Sequence, residues 1–547
     1  MNLQTLFHTN EIPTLEEYLK RCGVKSKNYI NPTANAVESY EHYDNIHQGV
    51  LLLEKAMEEC NDGKHIILVC DSDCDGYCST ALAYQFLINH GVSTHDIDIL
   101  FHSKKQHGFT ESICLDINRL IEEYGYGANI FALIWMPDAG TNDVEACGFY
   151  SKCFNIPVLI TDHHIMNRED GNPYATLINN QTSMHVKNRN LCGAGVTHKL
   201  ITAYCNEHNS KFHQSVLDLV ALATIGDVMD MRNLENRMIV KWGLSHITNP
   251  FLRVMCDSYI SDSETTPTTL AWNVIPKINA VCRSDDMNLK TELFDALAMN
   301  YYSENLIIRI TECHTKQRNE TNRLYERALQ IKPIGDKVKI FEFENTPYTG
   351  LIASKLSEHY NCPCMVVHPT YDGEYTGSLR SPCPMRSQLQ KSGLMTICAG
   401  HEQSCGVGWK TKDTEQLSSF CKQLDLTPIP KKVMCSMDNA LIPKEIFELS
   451  ELGKDIWGTN IPEPTIHVSN ITLSGKDIKE LGANKTTIKF LYGDVEFIGF
   501  FMSKEKKESL NVGKDKMMTL EVIGMPSINR FNDRETKQII IKEWEVE

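Results

Sequence analysis

The stretch VCDSDCDGYCSTALAYQFL, residues 69–87, places Asp71, Asp73 and Asp75 within five positions. Carboxylates this close repel one another unless something offsets their charge. Two readings answer that: a solvated turn whose acids cap the next helix, or a divalent-cation site. Further groups of the same kind follow, Asp138 in MPDAG, Asp162-His163-His164 in TDHH, and Asp227 in ALATIGDVMDM. Carboxylates with imidazole suit Mn²⁺, Mg²⁺ or another hard-to-borderline divalent ion, and a shared carboxylate suits two of them. The competing reading of His163 and His164 is a capping pair at a helix start.

The elements that must carry these residues are legible around them. His65–Cys70, Ile130–Trp135 and Ile156–Ile160 are short apolar runs, each ending at one of the polar groups and separated from the next by a helix-length segment. That is the pattern of a parallel sheet. After Gly76 a helix is expected, with Ala81, Leu82, Tyr84, Phe86 and Leu87 on its apolar positions, and Asp227 follows an apolar helix from Leu217 to Ile225. Three strands would then deliver acids and imidazoles to the edge where open α/β sheets bind ligands. Like charges gathered there need a cation to hold them.

The 547 residues are enough for three or four domains, and 42% hydrophobic with 23% charged residues is ordinary for a globular protein. No long apolar segment predicts a membrane helix, and MNLQTLFHTNEIPT lacks a signal-peptide pattern. The twenty cysteines show no C-x-x-C pair, so reduced thiols in a cytoplasmic protein are expected rather than zinc. A net charge of −16 argues against broad duplex binding, yet it leaves room for a local basic groove.

The ordered set DSDCDG, DAG, TDHH and ATIGDV resembles the core motifs of the DHH phosphoesterase superfamily. KKQHGFT, LINNQ with LCGAGVTHKL, and VIPKINAVCRSDD (residues 274–286) are similar to RecJ-type exonucleases. TGLIASKLSEHYNCPCMVV, GSLRS and CAGHEQSCGVGW resemble the phosphate-binding second domain that accompanies the DHH domain. The resemblance implies a single-stranded-DNA 5′→3′ exonuclease that releases mononucleotides by two-metal phosphodiester hydrolysis, with Mn²⁺ or Mg²⁺, in recombination, repair or replication. It implies Asp73, Asp75, Asp138, His163 and Asp227 as ligands, Asp138 as the bridge, Asp71 as a ligand or a support for one, and Asp162 as the group orienting the histidines. His164, Lys104, His107, Arg283, Arg380 and His401, with Gly377 and Ser378, would hold phosphates. The departures are Lys104 in place of arginine, Ala139 in place of asparagine and Ala399 in place of glycine; none removes an expected ligand. Single-stranded DNA is the expected partner, with a single-strand-binding protein or a helicase as the protein partners to look for, and no membrane.

The expected fold is α/β: a parallel-sheet DHH domain over 1–292, a long connecting helix over 293–334, and a second α/β (DHHA1-type) domain over 335–428. A proline-punctuated linker over 429–460 and a C-terminal β-barrel (OB-like) domain over 461–547 complete it. GSLRS reads as a turn with exposed backbone donors beside one guanidinium, suited to a phosphate. In the last domain, about five short strands are expected. Phe497, Phe500, Phe501, Lys504, Lys506 and Lys507 are groove candidates, although alternation puts most of the aromatics in the core. Two rival functions remain: a DHH phosphodiesterase acting on oligoribonucleotides or cyclic dinucleotides, and a non-catalytic single-strand-binding replication factor.

Overall fold

The computed structural model describes all residues except 1–2, 9–10, 126–129, 261–263, 425, 427–429, 439–441, 501, 503, 532–533 and 547. Phe501 and part of the LTPIPKK segment therefore lie outside the described residues. The chain divides into two compact units, Met1–Ile307 with Lys432–Glu547, and Ile308–Lys431.

In the first unit, β1 (His65–Cys70), β2 (Ile97–Phe101), β3 (Phe131–Pro137), β4 (Val158–Asp162) and β5 (Thr176–Asn179) form a wholly parallel sheet in the order β2-β1-β3-β4-β5. β1, β3 and β4 are buried almost throughout, because helices cover both faces of such a sheet. Their sequences are accordingly continuous apolar runs rather than alternating ones. The order turns back between β1 and β3, which opens a crevice at their carboxyl ends. Four helices close around it: α1 (Cys74–Asn89), α2 (Gly193–Glu207), α3 (Leu217–Gly226) and α4 (Ile275–Cys282).

The helical pattern expected to run unbroken from about Leu293 is divided. α5 (Met287–Met299) ends at Asn300, whose φ of 55° is left-handed, and α6 (Leu306–Ala328) starts afresh. The second unit then builds β6 (Lys339–Glu342), α7 (Thr349–Tyr360), β7 (Cys364–Pro369), β8 (Glu374–Arg380), β9 (Met395–His401) and β10 (Ser404–Lys410), with the sheet order β9-β10-β8-β7-β6. Here one expectation is corrected. Gly377-Ser378-Leu379-Arg380 is not a turn but the second half of β8, paired with β7 on one side and β10 on the other. Its backbone donors face ladder partners. Gly377 is required because a Cβ there would strike the carbonyl of Val366.

The C-terminal part of the first unit is a seven-stranded sheet. Its strands are β11 (Cys435–Asp438), β12 (Ile466–Ser474), β13 (Lys479–Leu481), β14 (Thr487–Tyr492), β15 (Val495–Gly499), β16 (Met517–Phe531) and β17 (Arg534–Val546), in the order β11-β12-β16-β17-β15-β14-β13. The stretch expected as a linker supplies β11 and the helix Lys444–Leu452, so it is folded structure. Its amphipathic helix had no turn residues to distinguish it from a spacer except the flanking prolines. Phe497 is fully buried and stacks on Phe490 at 5.0 Å, whereas Phe500 is exposed. Lys507 is engaged by Glu480 at 2.6 Å, and Lys506 lies over the Trp544 ring.

This sheet and the parallel-sheet domain share buried contacts. Arg237, with no exposed surface, donates to the Asp455 carboxylate at 2.6 Å and to the Asp455 carbonyl. Tyr18 donates to the Pro462 carbonyl at 3.0 Å and meets Trp457 edge-on.

Candidate metal centre and active site

The turn after β1 shows why the three aspartates are spaced as they are. Asp71 ends the strand and is buried. Asp73 caps α1, its Oδ1 accepting from the N–H groups of Asp75 at 3.2 Å and Gly76 at 3.3 Å. Asp75, in the first turn of the helix, reaches across to another helix start. Its two oxygens accept from Gly193 N–H at 2.7 Å and Ala194 N–H at 2.8 Å, at the N-terminus of α2. A carboxylate placed there also meets the positive end of the helix dipole.

Asp138 follows β3 directly and has φ 70°, so its side chain turns back over the sheet edge. Its Oδ1 is buried with no hydrogen-bond partner among the described residues, and so is Asp71 Oδ1. Gly193 packs against it so closely that a Cβ would overlap the Asp138 carboxylate. Burial, then the neighbouring Asp75, Asp73 and Asp71, push the Asp138 carboxyl well above the usual range. Asp227, one residue past α3, is pushed up by burial and the same acids. Asp71 is raised by burial to about 6 even though His107 Nδ1 sits 2.5 Å from its Oδ2. Burial alone would raise Asp73 too, but Arg283, 3.8 Å away, and His107 hold it below its ordinary value.

The two histidines have opposite characters. His163 Nε2 stands 3.3 Å from Asp138 Oδ1, 3.5 Å from Asp227 Oδ2 and 3.9 Å from Asp75 Oδ2. Burial and the adjacent His164 lower its pKa, which keeps the ring neutral with a lone pair to offer. His164 is nearly half exposed, and its Nδ1 is 2.7 Å from Asp162 Oδ1. Asp162 raises it to about 10, so it is a cation. Asp162 is saturated: it also accepts from the His163 and His164 N–H groups and, through Oδ2, from the Thr141 N–H and hydroxyl.

Ligand atoms of Asp75, His163 and Asp227 lie within 4.8 Å of one another, and so do those of Asp71, Asp73 and Asp138. A third such group, Asp138, Asp162, His163 and His164, draws on the occupied Asp162. The first two share no residue and adjoin through the His163–Asp138 contact. Two partnerless buried carboxylate oxygens beside a neutral imidazole fit a pair of hard-to-borderline divalent cations.

Lys104 is exposed in the loop after β2, and His107 and Arg283 join the edge through Asp71 and Asp73. Within the second unit, Arg380 and His401 pair with the same residue, Ser404, on opposite sides. Ser378 Oγ lies 3.0 Å from Thr349 Oγ1, and Gly350, in the first turn of α7, leaves room for the Arg380 guanidinium. Sequence reasoning overlooked Gly193, Ala194 and Thr141 as parts of the centre. It also overlooked Asn279, which accepts from the Cys74 N–H at 3.0 Å, and His102, which stands 3.8 Å behind Asp71. The doubled glycine of CGAG at a helix start was the available signal.

The family model described as the DHH family, N-terminal domain, matches residues 65–224, and the RecJ OB domain matches residues 441–543. Together they bear out the RecJ-like resemblance and the α/β architecture with a C-terminal OB domain. A putative SPbeta prophage-derived single-strand DNA-specific exonuclease, YorK, of Bacillus subtilis (strain 168) is 26% identical, over 97% of this chain and 96% of that protein. The single-stranded-DNA-specific exonuclease RecJ of the same strain is 25% identical over 90% of this chain and 63% of that one. The crystal structure of RecJ in complex with Mn²⁺ from Thermus thermophilus matches with a TM-score of 0.74 at 18% identity. It covers 97% of this chain and 76% of that one, a likeness of fold. Among the described residues no helix is long and apolar enough to cross a membrane.

Proposed function

We propose that the protein is a divalent-metal-dependent exonuclease that degrades single-stranded DNA from its 5′ end to mononucleotides. The observation that carries this is the convergence on one sheet edge of buried Asp71, Asp75 and Asp138 and partly exposed Asp73 and Asp227 around the neutral His163 ring, with no hydrogen bond made to Asp138 Oδ1 among the described residues. Asp71, Asp73, Asp75, Asp138, His163 and Asp227 would hold the ions, with Asp138 next to both sets. Bound Mn²⁺ or Mg²⁺ supplies the charge that offsets the acids and activates water for attack on phosphorus. The chain's own groups do the rest. Asp162 fixes the His164 ring, whose cationic, exposed face suits a phosphate oxygen. Arg283 and His107 add positive charge on the solvent side, and Gly193 preserves the space Asp138 needs.

In the second unit we assign Arg380, with the Ser378 and Thr349 hydroxyls near the first turn of α7, and His401 on the far side of Ser404, to a phosphate of the strand. Single-stranded DNA as substrate is supported by the RecJ OB domain and by the names of the relatives. The 5′→3′ direction is supported by the motif set. The OB domain favours this reading over a phosphodiesterase for small nucleotides. The deciding experiment digests 5′- and 3′-labelled single-stranded DNA, RNA and blunt duplex with Mn²⁺, Mg²⁺ or EDTA. Mononucleotides should appear from the 5′ end of single-stranded DNA with metal and not with EDTA; attack from the 3′ end or equal attack on duplex refutes the reading.

A further inference from the structure

A groove of about 490 Å³ has Ile225 and Val228, close to Asp227 in sequence, among its lining residues. Trp272 and Met229 line it too, together with Met525 and Lys542 of the OB sheet. All of these residues belong to one compact unit. Three features set the groove apart from ordinary surface. Trp272 is 77% exposed, an unusual state for the largest apolar side chain. Val228, β-branched, is held at φ 55° and is 62% exposed, so backbone strain is retained beside an acid of the metal set to point an apolar side chain outward. The helix carrying Trp272, Pro267–Asn273, is rigidly started by a Thr266–Thr269 capping box and a proline. Thr268 also hydrogen-bonds the Trp457 carbonyl at 3.5 Å.

We propose that Trp272, with Val228 beside it, is a stacking platform for one nucleobase of the single strand close to the scissile phosphate, and that Lys542 takes a phosphate farther toward the OB sheet. The proposal rests on the exonuclease reading and names a positioning residue that the motif set does not contain. A flat, exposed indole suits a base of any identity, since every base has a π-face. Lys542 is the cation among the lining residues, and its charge also acts on Glu463 there. Glu463, the acid among the lining residues, is engaged by the Ser450 hydroxyl at 3.3 Å. Holding a base here would fix the register of the strand at the metal edge, so its contribution belongs to binding more than to the chemical step.

The test uses the full chain in two arms. In EDTA, a twelve-residue oligothymidylate should quench tryptophan fluorescence. Trp272→Phe should lose most of that quenching while keeping much of the affinity, and Trp272→Ala should weaken binding about tenfold. With Mn²⁺, labelled strands carrying a single abasic position should be digested slowly by the wild type when that position occupies the platform. Trp272→Ala should lose that position dependence, with KM rising more than kcat falls. Equal quenching in wild type and the Phe variant, with an unaltered abasic profile, overturns the platform even if digestion proceeds normally. If the wild type digests no strand at all, the exonuclease reading fails, and the metal-free quenching arm still decides whether a base stacks on Trp272.

Discussion

Replacing Asp138 with asparagine should reverse the effect of metal on the stability of this protein. The substitution keeps the shape that packs against Gly193 and removes one charge from a set in which Asp71, Asp73, Asp75 and Asp227 all raise its pKa. Two unit charges about 4 Å apart repel by about 4 kcal/mol at an effective dielectric of 20. Protonation of the wild-type acid already relieves part of this, leaving a net gain of about 1–3 kcal/mol for the metal-free variant. At about 2–4 °C per kcal/mol, Tm in EDTA should rise by roughly 2–12 °C. The raised folded pKa sets the pH dependence. Between the unfolded carboxyl value and that raised value the folded state binds the extra proton, so wild-type stability falls as pH rises. The Asn variant lacks this loss, and its advantage should be near zero at pH 4 and grow toward pH 8. In Mn²⁺ the order should invert, because ligand at about a thousand times its Kd stabilises the wild type by about 4.1 kcal/mol and the variant has lost a carboxylate that adjoins both sets. Activity should fall at least about a thousandfold. Thermal scans in EDTA and Mn²⁺ at both pH values, with single-strand digestion, make the assay. Equal Tm values under both conditions, or metal-dependent digestion near wild type, would refute the two-cation assignment.

Asp162→Asn should return His164 from about 10 toward its ordinary value, seen by ring titration in the metal-free protein, and digestion should then decline as pH rises from 6 to 8. An unaltered His164 titration would count against Asp162 as its anchor. Gly193→Ala should displace Asp138, costing about 1–3 kcal/mol of stability and reducing metal-dependent activity far more than it changes a folding marker such as far-UV dichroism. Wild-type activity would contradict the packing argument. Truncation at Lys432 should lower the Tm of the remaining chain, since the buried Arg237 loses both Asp455 acceptors. An unchanged Tm would show that the OB sheet contributes nothing to the catalytic domain.

Short-range pattern accounts for what could be read without coordinates. β1, β3 and β4 are legible because a strand buried on both faces must be apolar at every position, and each ends at a polar residue that can only face the sheet edge. The acids that gather there follow from that alone, as does the helix after Gly76. GSLRS misled because glycine and serine favour a turn locally; β7 precedes it in a hairpin, but β10, which takes its other edge, begins only at Ser404. The stretch before the OB strands misled similarly, since β11 becomes a strand only by pairing with β12 some thirty residues on. Side-chain direction was likewise beyond the pattern. Residue types could nominate Asp75, Asp138 and His163 together. Only the packing of α2 against the edge decides that Asp75 spends its oxygens on two backbone N–H groups while Asp138 keeps one free. A carboxylate's identity is local, but what it faces is set by chain that folds back from a hundred residues away.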